Sequence, residues 1–321
     1  METVHLEESA QALSQRAKKG ELLALRVPDH DVYNITVPVS IAGETYIFGR
    51  VEQRKREDDS RIFAFRLLKD GTWLPIELSL PSLQDPAISV VDGLVILSGI
   101  YVQWAVDQNG KQFAQKYWTV FYTLDSNLHP TPQGRGPDEM KDIRLLGLHD
   151  GRLLVFGRPQ RQHRVEAAGG RISVSLFPGL SHYDSDVVHN APILPLHIPE
   201  NEWVGANHAI EVDGMVWVLG HVGRWVEIGG KRVRQYDAMI FVYDPTTNRC
   251  SSVKIIVKAD DFDCDQEKNE ELGHIIFSGG FEISADQQRI CVYVGLNDAA
   301  AGKISVDNFF PALVEELRQA A

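Results

Sequence analysis

The residues of this sequence that could do chemistry are charged side chains grouped around short apolar stretches. Six are basic: Arg50, Lys141, Arg144, Arg158, His208 and His221. Four are acidic: Glu52, Asp85, Asp142 and Asp298. Converging cations suggest an anionic ligand such as phosphate, which arginine binds in fork geometry, and Pro86 fixes the direction of the chain at Asp85. The alternative is that Arg50–Glu52 and Arg158–Asp142 are ion pairs that only join neighbouring elements.

A repeated hairpin pattern must position these residues. In four copies, two glycines six residues apart enclose an apolar run: Gly43 to Gly49, Gly93 to Gly99, Gly151 to Gly157 and Gly214 to Gly220. A looser fifth copy closes at Gly295, and successive closing glycines are 50 to 75 residues apart. Five β units of this length predict an all-β fold, a five-bladed β-propeller with short terminal helices. A β-sandwich is the alternative, but it gives no reason for the repeated spacing.

Polar residues also recur within the pattern. Six to ten residues before each turn glycine stand Asn34, Asp85, Lys141 with Asp142, and Asn207 with His208, and His274 opens the fifth copy. Arg50, Arg158, His221 and Asp298 follow the closing glycines. The hairpin from Met140 to Gln160, which turns at Asp150-Gly151, brings both kinds of position to one edge. The sequence therefore predicts one site at one mouth of the propeller channel.

Length and charge limit the function classes. The chain has 321 residues, of which 44% are hydrophobic, enough for one domain over residues 1–321. Within it we expect an N-terminal helix and lead-in over residues 1–30 and a C-terminal helix over residues 307–321. A net charge of −12 argues against a general binder of nucleic acid or anionic membranes. No apolar run is long enough to span a membrane, and we expect a cytoplasmic protein of undefined oligomeric state.

Metal sites are not expected. Three scattered cysteines lack the spacing of a zinc site, and no two of His182, His189 and His197 are closely spaced. The acidic run from Asp260 to Glu271 resembles the start of a calcium loop but lacks its glycine and closing glutamate. We interpret this run as a solvated loop and expect no cofactor apart from inorganic phosphate as a co-substrate.

Several short segments resemble a known group of enzymes. They are GRVEQR, LQDPAI, KDIRLL with FGRPQ, GANH with LGHVG, and GHIIFSGG with VYVGLND. Together, from about Asp31 to Asp298, they resemble the five-bladed mannoside phosphorylases and β-1,2-mannosidases. They are more similar still to the mannosyltransferase–phosphorylases first recognised in protozoan parasites, and to their uncharacterised bacterial relatives.

This resemblance implies roles for the site residues. Asp85, in the Asp-Pro motif, is expected to be the general acid, with its proton reaching the glycosidic oxygen through a sugar hydroxyl while phosphate attacks with inversion. Phosphate binding is expected of Arg50, Lys141, Arg144, Arg158, His208 and His221. Substrate binding is expected of Asn34, Glu52, Asp142, Asn207, His274 and Asp298. One departure is Ala87, where many relatives have an arginine that could contact phosphate or sugar.

Three functions stay open at this level. The first is a phosphorylase or transferase on β-1,2-linked mannosides, whose partners are an oligosaccharide or a sugar phosphate. The second is an inverting hydrolase, which needs a second carboxylate about 6.5–9.5 Å from the acid to activate water, and Asp142 is the candidate. The third is a carbohydrate-binding propeller without turnover. Fold alone does not choose among them.

Overall fold

The computed structural model describes residues 19–54, 56–159, 170–269 and 272–319, and its β-strands form five sheets arranged as propeller blades. Blade I contains β2 (Asp31–Tyr33), β3 (Val39–Ile41), β4 (Glu44–Glu52), β5 (Arg61–Leu67) and β6 (Trp73–Glu77). Blade II contains β7 (Gln84–Val91), β8 (Leu94–Val106), β9 (Gln112–Leu124) and β10 (Pro130–Arg135). The predicted all-β propeller fold is confirmed.

The remaining three blades follow in chain order. Blade III contains β11 (Met140–Gly147), β12 (Leu153–Pro159) and β13 (Ser173–Phe177). Blade IV contains β14 (Glu202–Val212), β15 (Met215–Ile228), β16 (Lys231–Asp244), β17 (Arg249–Cys250) and β18 (Lys254–Val257). Blade V contains β19 (Ile276–Ile283), β20 (Arg289–Leu296) and β21 (Ala300–Asp307), and its outermost strand is β1 (Glu21–Leu22).

Strand β1 closes the ring. It pairs antiparallel with β21, with Glu21 opposite Lys303 and Leu22 opposite Gly302. Blade V is thus completed by a strand from the segment predicted as the helix and lead-in, residues 1–30. The helix predicted before Gly20 lies outside the described residues.

Apolar side chains fill the space between neighbouring blades. One buried cluster joins blades I, II and V, another joins II and III, a third joins III and IV, and the fourth joins IV and V. The described residues contain two α-helices, α1 (Ser185–His189) and α2 (Phe310–Gln319). Helix α2 buries Phe310, Leu313 and Leu317, and the Phe310 ring stacks on Trp217 at a centroid distance of 4.8 Å. The predicted C-terminal helix is therefore packed on the blade IV–V cluster.

The hairpin turns lie where the glycine pattern predicts. Ala42-Gly43, Asp92-Gly93 and Asp213-Gly214 all have positive φ at both residues, as two-residue type I′ turns require. At Asp150-Gly151 only the glycine has positive φ, and Leu148 pairs with Arg152, so this loop has three residues instead of two. We call the end of the channel near these turns the turn end, and the opposite end the bulge end. No described helix is both long and apolar enough to cross a membrane.

Candidate active site

Irregularities in the innermost strands define the bulge end. The pairing register shifts around Asp85 in β7, around Asp142 in β11, and at Asn207 in β14, while Asn34 interrupts the inner strand of blade I. Asn34, Asp85 and Asp142 have φ values of 46°, 48° and 53°. Left-handed backbone is uncommon outside glycine but most accessible to Asn and Asp, and bulges re-aim side chains. Three blades therefore use the same local distortion to turn a polar side chain towards one site.

The first group of residues at the site, which we call the acid half, is built around Asp85. Its residues are Asn34, Arg50, Glu52, Asp85 and Lys268. Asp85 Oδ1 accepts hydrogen bonds from Asn34 Nδ2 at 2.8 Å and from Arg50 Nη1 at 3.0 Å. The Asp85 side chain is 14% exposed, which makes it the carboxylate of this group that a ligand can reach.

Arg50 is held in place by hydrogen bonds to Glu52 and Ser60. Its Nε and Nη2 donate to Glu52 Oε2 at 3.0 and 2.7 Å, and Nε also donates to Ser60 Oγ at 3.0 Å. Lys268 Nζ donates to Glu52 Oε1 at 2.5 Å. Glu52 is 1% exposed, and burial alone would raise its pKa, but Arg50 and Lys268 lower it, so the carboxylate is ionised. Glu52 therefore holds Arg50 and has no surface for a sugar, unlike its predicted role.

The charge state of Asp85 follows from its neighbours. Burial alone would raise the pKa of this carboxyl, but the cations of Arg50 and Lys141 and the Asn34 hydrogen bond together lower it to about 2. Asp85 is thus a carboxylate at neutral pH in the unliganded site, where Arg50 and Lys141 face it. Any ligand that draws those cations away would raise its pKa.

The second group, the anion half, comprises Lys141, Asp142, Arg158, Asn207 and His221. Asp142 is 2% exposed and lies beneath Arg158, whose Nε is 2.8 Å from Asp142 Oδ2. The two atoms are not aligned for a hydrogen bond, so the contact is an ion pair. Burial would raise the pKa of Asp142, but Arg158, His221 and Arg144 lower it. A Cβ atom at Gly205 would meet Asp142 Oδ2 at 2.6 Å, so this approach requires glycine.

His221 is a neutral link between Arg158 and Asn207. Its Nδ1 donates to Asn207 Oδ1 at 2.7 Å, and its Nε2 then accepts from Arg158 Nη1 at 3.1 Å. The ring is fully buried and stacks on Tyr236 at 5.2 Å. Burial and the charge of Arg158 lower its pKa to about 3. His221 and the Asn207 oxygen therefore orient Arg158, and the His221 ring has no donor left for a ligand, whereas the buried Asn207 Nδ2 has no hydrogen-bond partner among the described residues.

Lys141 is the least neutralised cation of the anion half. Its Nζ lies 5.2 Å from the centre of the Tyr117 ring, and within the described chain no carboxylate oxygen lies within 4.0 Å of it. Its side chain is half-buried. Burial lowers its pKa, as do the charges of Arg158 and Arg50, although Asp85 and Asp142 oppose them. The ammonium is therefore influenced by two cations, Arg158 and Arg50, as well as by the carboxylates of Asp85 and Asp142.

Asp298 and His274 lie nearer blade V. Asp298, with φ of 51°, is in the turn between β20 and β21 and is half-buried. Burial raises the pKa of Asp298 to about 6, with Arg50 lowering it and Asp85 raising it. His274 is half-buried and its carbonyl accepts from Tyr236 N at 3.0 Å. Asp298 thus faces the acid half, whereas only the backbone of His274 has a described contact.

His208 and Arg144 lie on the turn-end side of the bulges, which differs from the prediction. Both line a cavity of about 420 Å³ whose walls also include Ile88, Leu145 and Phe281. The His208 ring meets Phe281 edge-on at 5.2 Å, and burial lowers its pKa to about 4. Arg144 donates to the backbone carbonyls of Asn207 and Ile143. His208 thus lies in this cavity next to Phe281 and Arg144.

Sequence reasoning missed Lys268 and Ser60. Lys268 is the one lysine inside the acidic run that was interpreted as a solvated loop, yet its side chain is 5% exposed. A single cation within a run of acids was the available signal. Among the described residues no group of three potential metal ligands is present.

The sequence also matches a known family. The profile of a protein family of unknown function, DUF1861, matches residues 9–312. The chain belongs to the DUF1861 family. None of the curated proteins matches it.

Solved structures share the fold over nearly the whole chain. A mannose phosphorylase from Leishmania mexicana, MPT-4, in complex with phosphate is 28% identical with a TM-score of 0.83, over 92% of this chain and 91% of that one. MPT-1, a GDP-Man-dependent mannosyltransferase from the same organism, is 26% identical with a TM-score of 0.79, over 91% and 90%. A β-1,2-mannobiose phosphorylase from Listeria innocua is 14% identical with a TM-score of 0.62, over 95% and 98%, and shows the fold alone. This DUF1861 protein thus resembles carbohydrate-active enzymes throughout its length.

Proposed function

We propose that this DUF1861 protein is an inverting glycoside phosphorylase or glycosyltransferase that acts on β-1,2-linked mannosides. Inorganic phosphate is the co-substrate in breakdown, and mannose 1-phosphate is the donor in synthesis. The observation that carries the proposal is Lys141, a half-buried lysine opposite Arg158 in the β11–β12 pairing, whose ammonium also interacts electrostatically with Asp85. An anion bound there would supply the missing negative charge. The phosphate complex of MPT-4 and its activity support phosphate as that anion.

In the proposed reaction the anion half binds the phosphate and the acid half supplies the proton. Phosphate held by Lys141 and Arg158 attacks the anomeric carbon, the bond from that carbon to the glycosidic oxygen breaks, and the leaving oxygen takes a proton that originates from Asp85. The anomeric configuration inverts because attack and departure occur on opposite faces. No second carboxylate is needed, because phosphate is already a nucleophile. In synthesis the same atoms move in reverse, and Asp85 recovers the proton.

Asp85 must be protonated when breakdown begins. In the unliganded site the Arg50 and Lys141 charges hold its pKa at about 2, with burial acting in the opposite direction. A phosphate dianion drawn to Lys141 and Arg158 would offset these cations and add negative charge nearby, and both changes favour the neutral carboxylic acid. Phosphate binding would therefore prepare the acid as well as supply the nucleophile.

A hydrolase is the second candidate, but with a different base. Asp142 is 2% exposed beneath Arg158, and its lowered pKa makes it a poor base. Asp298 is half-buried and its pKa is raised to about 6 by burial, which suits a group that activates water. If the protein hydrolyses mannosides, we expect Asp298 to be the base.

The decisive experiment supplies mannose 1-phosphate and mannose to the wild-type protein and measures released phosphate. The reverse assay supplies β-1,2-mannobiose with and without phosphate. Phosphate-dependent cleavage that yields mannose 1-phosphate supports the proposal. Cleavage to mannose alone, lost in Asp298→Asn, supports the hydrolase instead. Sugar binding without turnover in any assay, including one with GDP-mannose as donor, would indicate a binding protein.

A further inference from the structure

Lys268 connects two parts of the chain that are far apart in sequence. It belongs to the segment that leads from blade IV into blade V, and its side chain is 5% exposed. Its ammonium donates to Glu52 Oε1 at 2.5 Å, to Glu57 Oε1 at 2.8 Å and to the Tyr33 hydroxyl at 3.4 Å. A lysine is rarely buried without such partners. Its three acceptors all belong to blade I or to the loop after β4.

The backbone of Lys268 is hydrogen-bonded to the turn that carries Asp298, on the other side of the site. Its N–H donates to the carbonyl of Asn297 at 3.1 Å, and Asn297 Nδ2 donates to the carbonyl of Gln266 at 3.2 Å. Asn297 Oδ1 accepts from Ile275 N at 3.2 Å. Asn297 and Asp298 both have left-handed φ, 53° and 51°. The segment around Lys268 therefore stabilises the strained turn that presents Asp298.

Lys268 is connected to Asp85 through three consecutive ion pairs. Its ammonium holds Glu52, Glu52 accepts from two nitrogens of Arg50, and Arg50 Nη1 donates to Asp85 Oδ1. Glu52 is 1% exposed and cannot turn to water if one partner is lost. The Tyr33 ring lies 5.1 Å from the Arg50 guanidinium and 5.8 Å from Lys268 Nζ, so it fills the space between the cations.

We infer that Lys268 is a positioning residue that sets Arg50 and Asp85 on one side, and Asp298 on the other, at the spacing the reaction requires. This inference rests on the proposed function. Lys268 does not contact the anion half in the described chain, because its described partners are Glu52, Glu57, Tyr33 and Asn297. Its loss should therefore lower the rate of the chemical step and leave phosphate binding by Lys141 and Arg158 almost unchanged.

The test compares three variants with the wild type. Lys268→Met keeps the length of the side chain and removes its charge. Lys268→Arg restores a cation. Lys303→Met is the matched control, because Lys303 forms another lysine–glutamate contact at the ring closure, 3.4 Å from Glu21, but outside the site. For each we would measure kcat and KM for phosphate, the melting temperature, and the Arg50 Nη1–Asp85 Oδ1 distance in crystals.

We expect Lys268→Met to lose about 10²-fold in kcat, the usual cost of displacing a reacting group by about 1 Å, with less than about a threefold change in KM. The crystal distance should lengthen from the 3.0 Å of the present structure. Lys268→Arg should regain at least part of kcat, and Lys303→Met should match the wild type. If Lys268→Met does not fold, Lys268→Gln, which keeps a donor without the charge, takes its place in the same measurements.

Two outcomes separate this inference from the proposed function. An active wild type together with a Lys268→Met variant of normal kcat and unchanged Arg50–Asp85 distance overturns the positioning role alone. An inactive wild type overturns the proposed function, while the crystal distance still tests whether Lys268 positions Arg50. An equal loss of kcat in Lys303→Met would show that any weakening of the ring closure has this effect, and would also overturn the inference.

Discussion

The acid half and the anion half of the site use charge in opposite ways. In the acid half, every described charge has a partner: Lys268 pairs with Glu52, Glu52 with Arg50, and Arg50 with Asp85. In the anion half, Asp142 neutralises Arg158, His221 is neutral, and Lys141 lies over an aromatic ring. The difference indicates that one half is rigid before a ligand arrives, whereas the other is completed by the ligand. Electrostatic preorganisation of the first kind supports proton transfer, and the second kind supports anion binding.

The largest loss of turnover is expected from substitution of Asp85, the last residue in the ion-pair series of the acid half. Asp85→Asn keeps the shape and can still bond to Asn34 and Arg50, but it removes the transferable proton. Turnover should fall by about 10²–10⁴, the usual contribution of general acid catalysis, while phosphate still raises the melting temperature. Phosphate release from mannose 1-phosphate and mannose measures this. Near-normal turnover in Asp85→Asn would identify a different acid.

A smaller effect, on binding instead of rate, is expected in the anion half. Lys141→Met removes a charge-assisted hydrogen bond of about 1.5–3 kcal/mol, so Kd for phosphate should rise about 10- to 100-fold. Calorimetric titration with phosphate at fixed ionic strength measures it. Lys116→Met is the control, since Lys116 is an exposed lysine 3.5 Å from Asp138. Equal losses in both variants would mean that only net charge matters.

As the pH falls, the anion half should lose its contribution to folding stability before the acid half does. His221 has its pKa lowered to about 3 by burial and by Arg158, whereas the unfolded chain binds this proton near its ordinary 6.5. The unfolded state therefore gains protons first as pH falls from 6.5, and the free energy of unfolding should drop by roughly 1.4 kcal/mol per pH unit from this group. Asp85, whose pKa is about 2 against an ordinary 3.8, loses its contribution only below about pH 4.

Denaturant titrations at several pH values can separate these two groups. Between pH 6.5 and 4, the slope of the unfolding free energy against pH should become shallower in His221→Gln but not in Asp85→Asn. Asp298, with its raised pKa of about 6, acts in the opposite direction, and because the Asp85 charge helps to raise that pKa, the loss of this charge in Asp85→Asn should if anything steepen the slope. A slope that is unaffected by His221→Gln would mean that His221 is charged in the folded protein.

The smallest change in stability and turnover is expected from substitution of Glu57, an exposed residue next to the acid half. Glu57 accepts from Lys268 at 2.8 Å, but its side chain is 51% exposed. Glu57→Gln should therefore cost at most about 1 kcal/mol of stability, and kcat should stay within about twofold. Glu52→Gln provides the contrast, because it strands a buried arginine and lysine. Thermal unfolding and the phosphate-release assay would reveal whether the two substitutions differ.

The fold could be predicted because its signals are local. A hairpin turn needs positive φ at particular positions, and the repeated glycines mark those turns in four of the five blades. The alternation of apolar residues between them specifies strands. The turn at Asp150-Gly151 differed by one residue, since a single glycine is compatible with either turn type.

The site could be predicted only in part. The sequence brought Asn34, Asp85 and Asp142 to one end of the channel, and the structure agrees, with Asp85 and Asp142 at register shifts and Asn34 at an interruption of the inner strand. It could not assign their roles, because a bulge reverses which neighbour points towards the mouth, and so His208 was expected on the wrong side. It also could not find Lys268, whose acceptors Glu52 and Glu57 lie more than two hundred residues earlier.

Ring closure by β1 has a consequence for synthesis on the ribosome. Leu22 is made well before its partner Gly302, which emerges 280 positions later, the difference between 302 and 22. At about 5–20 residues per second, the interval is roughly 15–55 s. Until then β1 has no β21 to pair with, and Glu52 also lacks its partner Lys268. The nascent protein would therefore complete blade V and the Lys268–Glu52 contact only when blades I to IV have already been made.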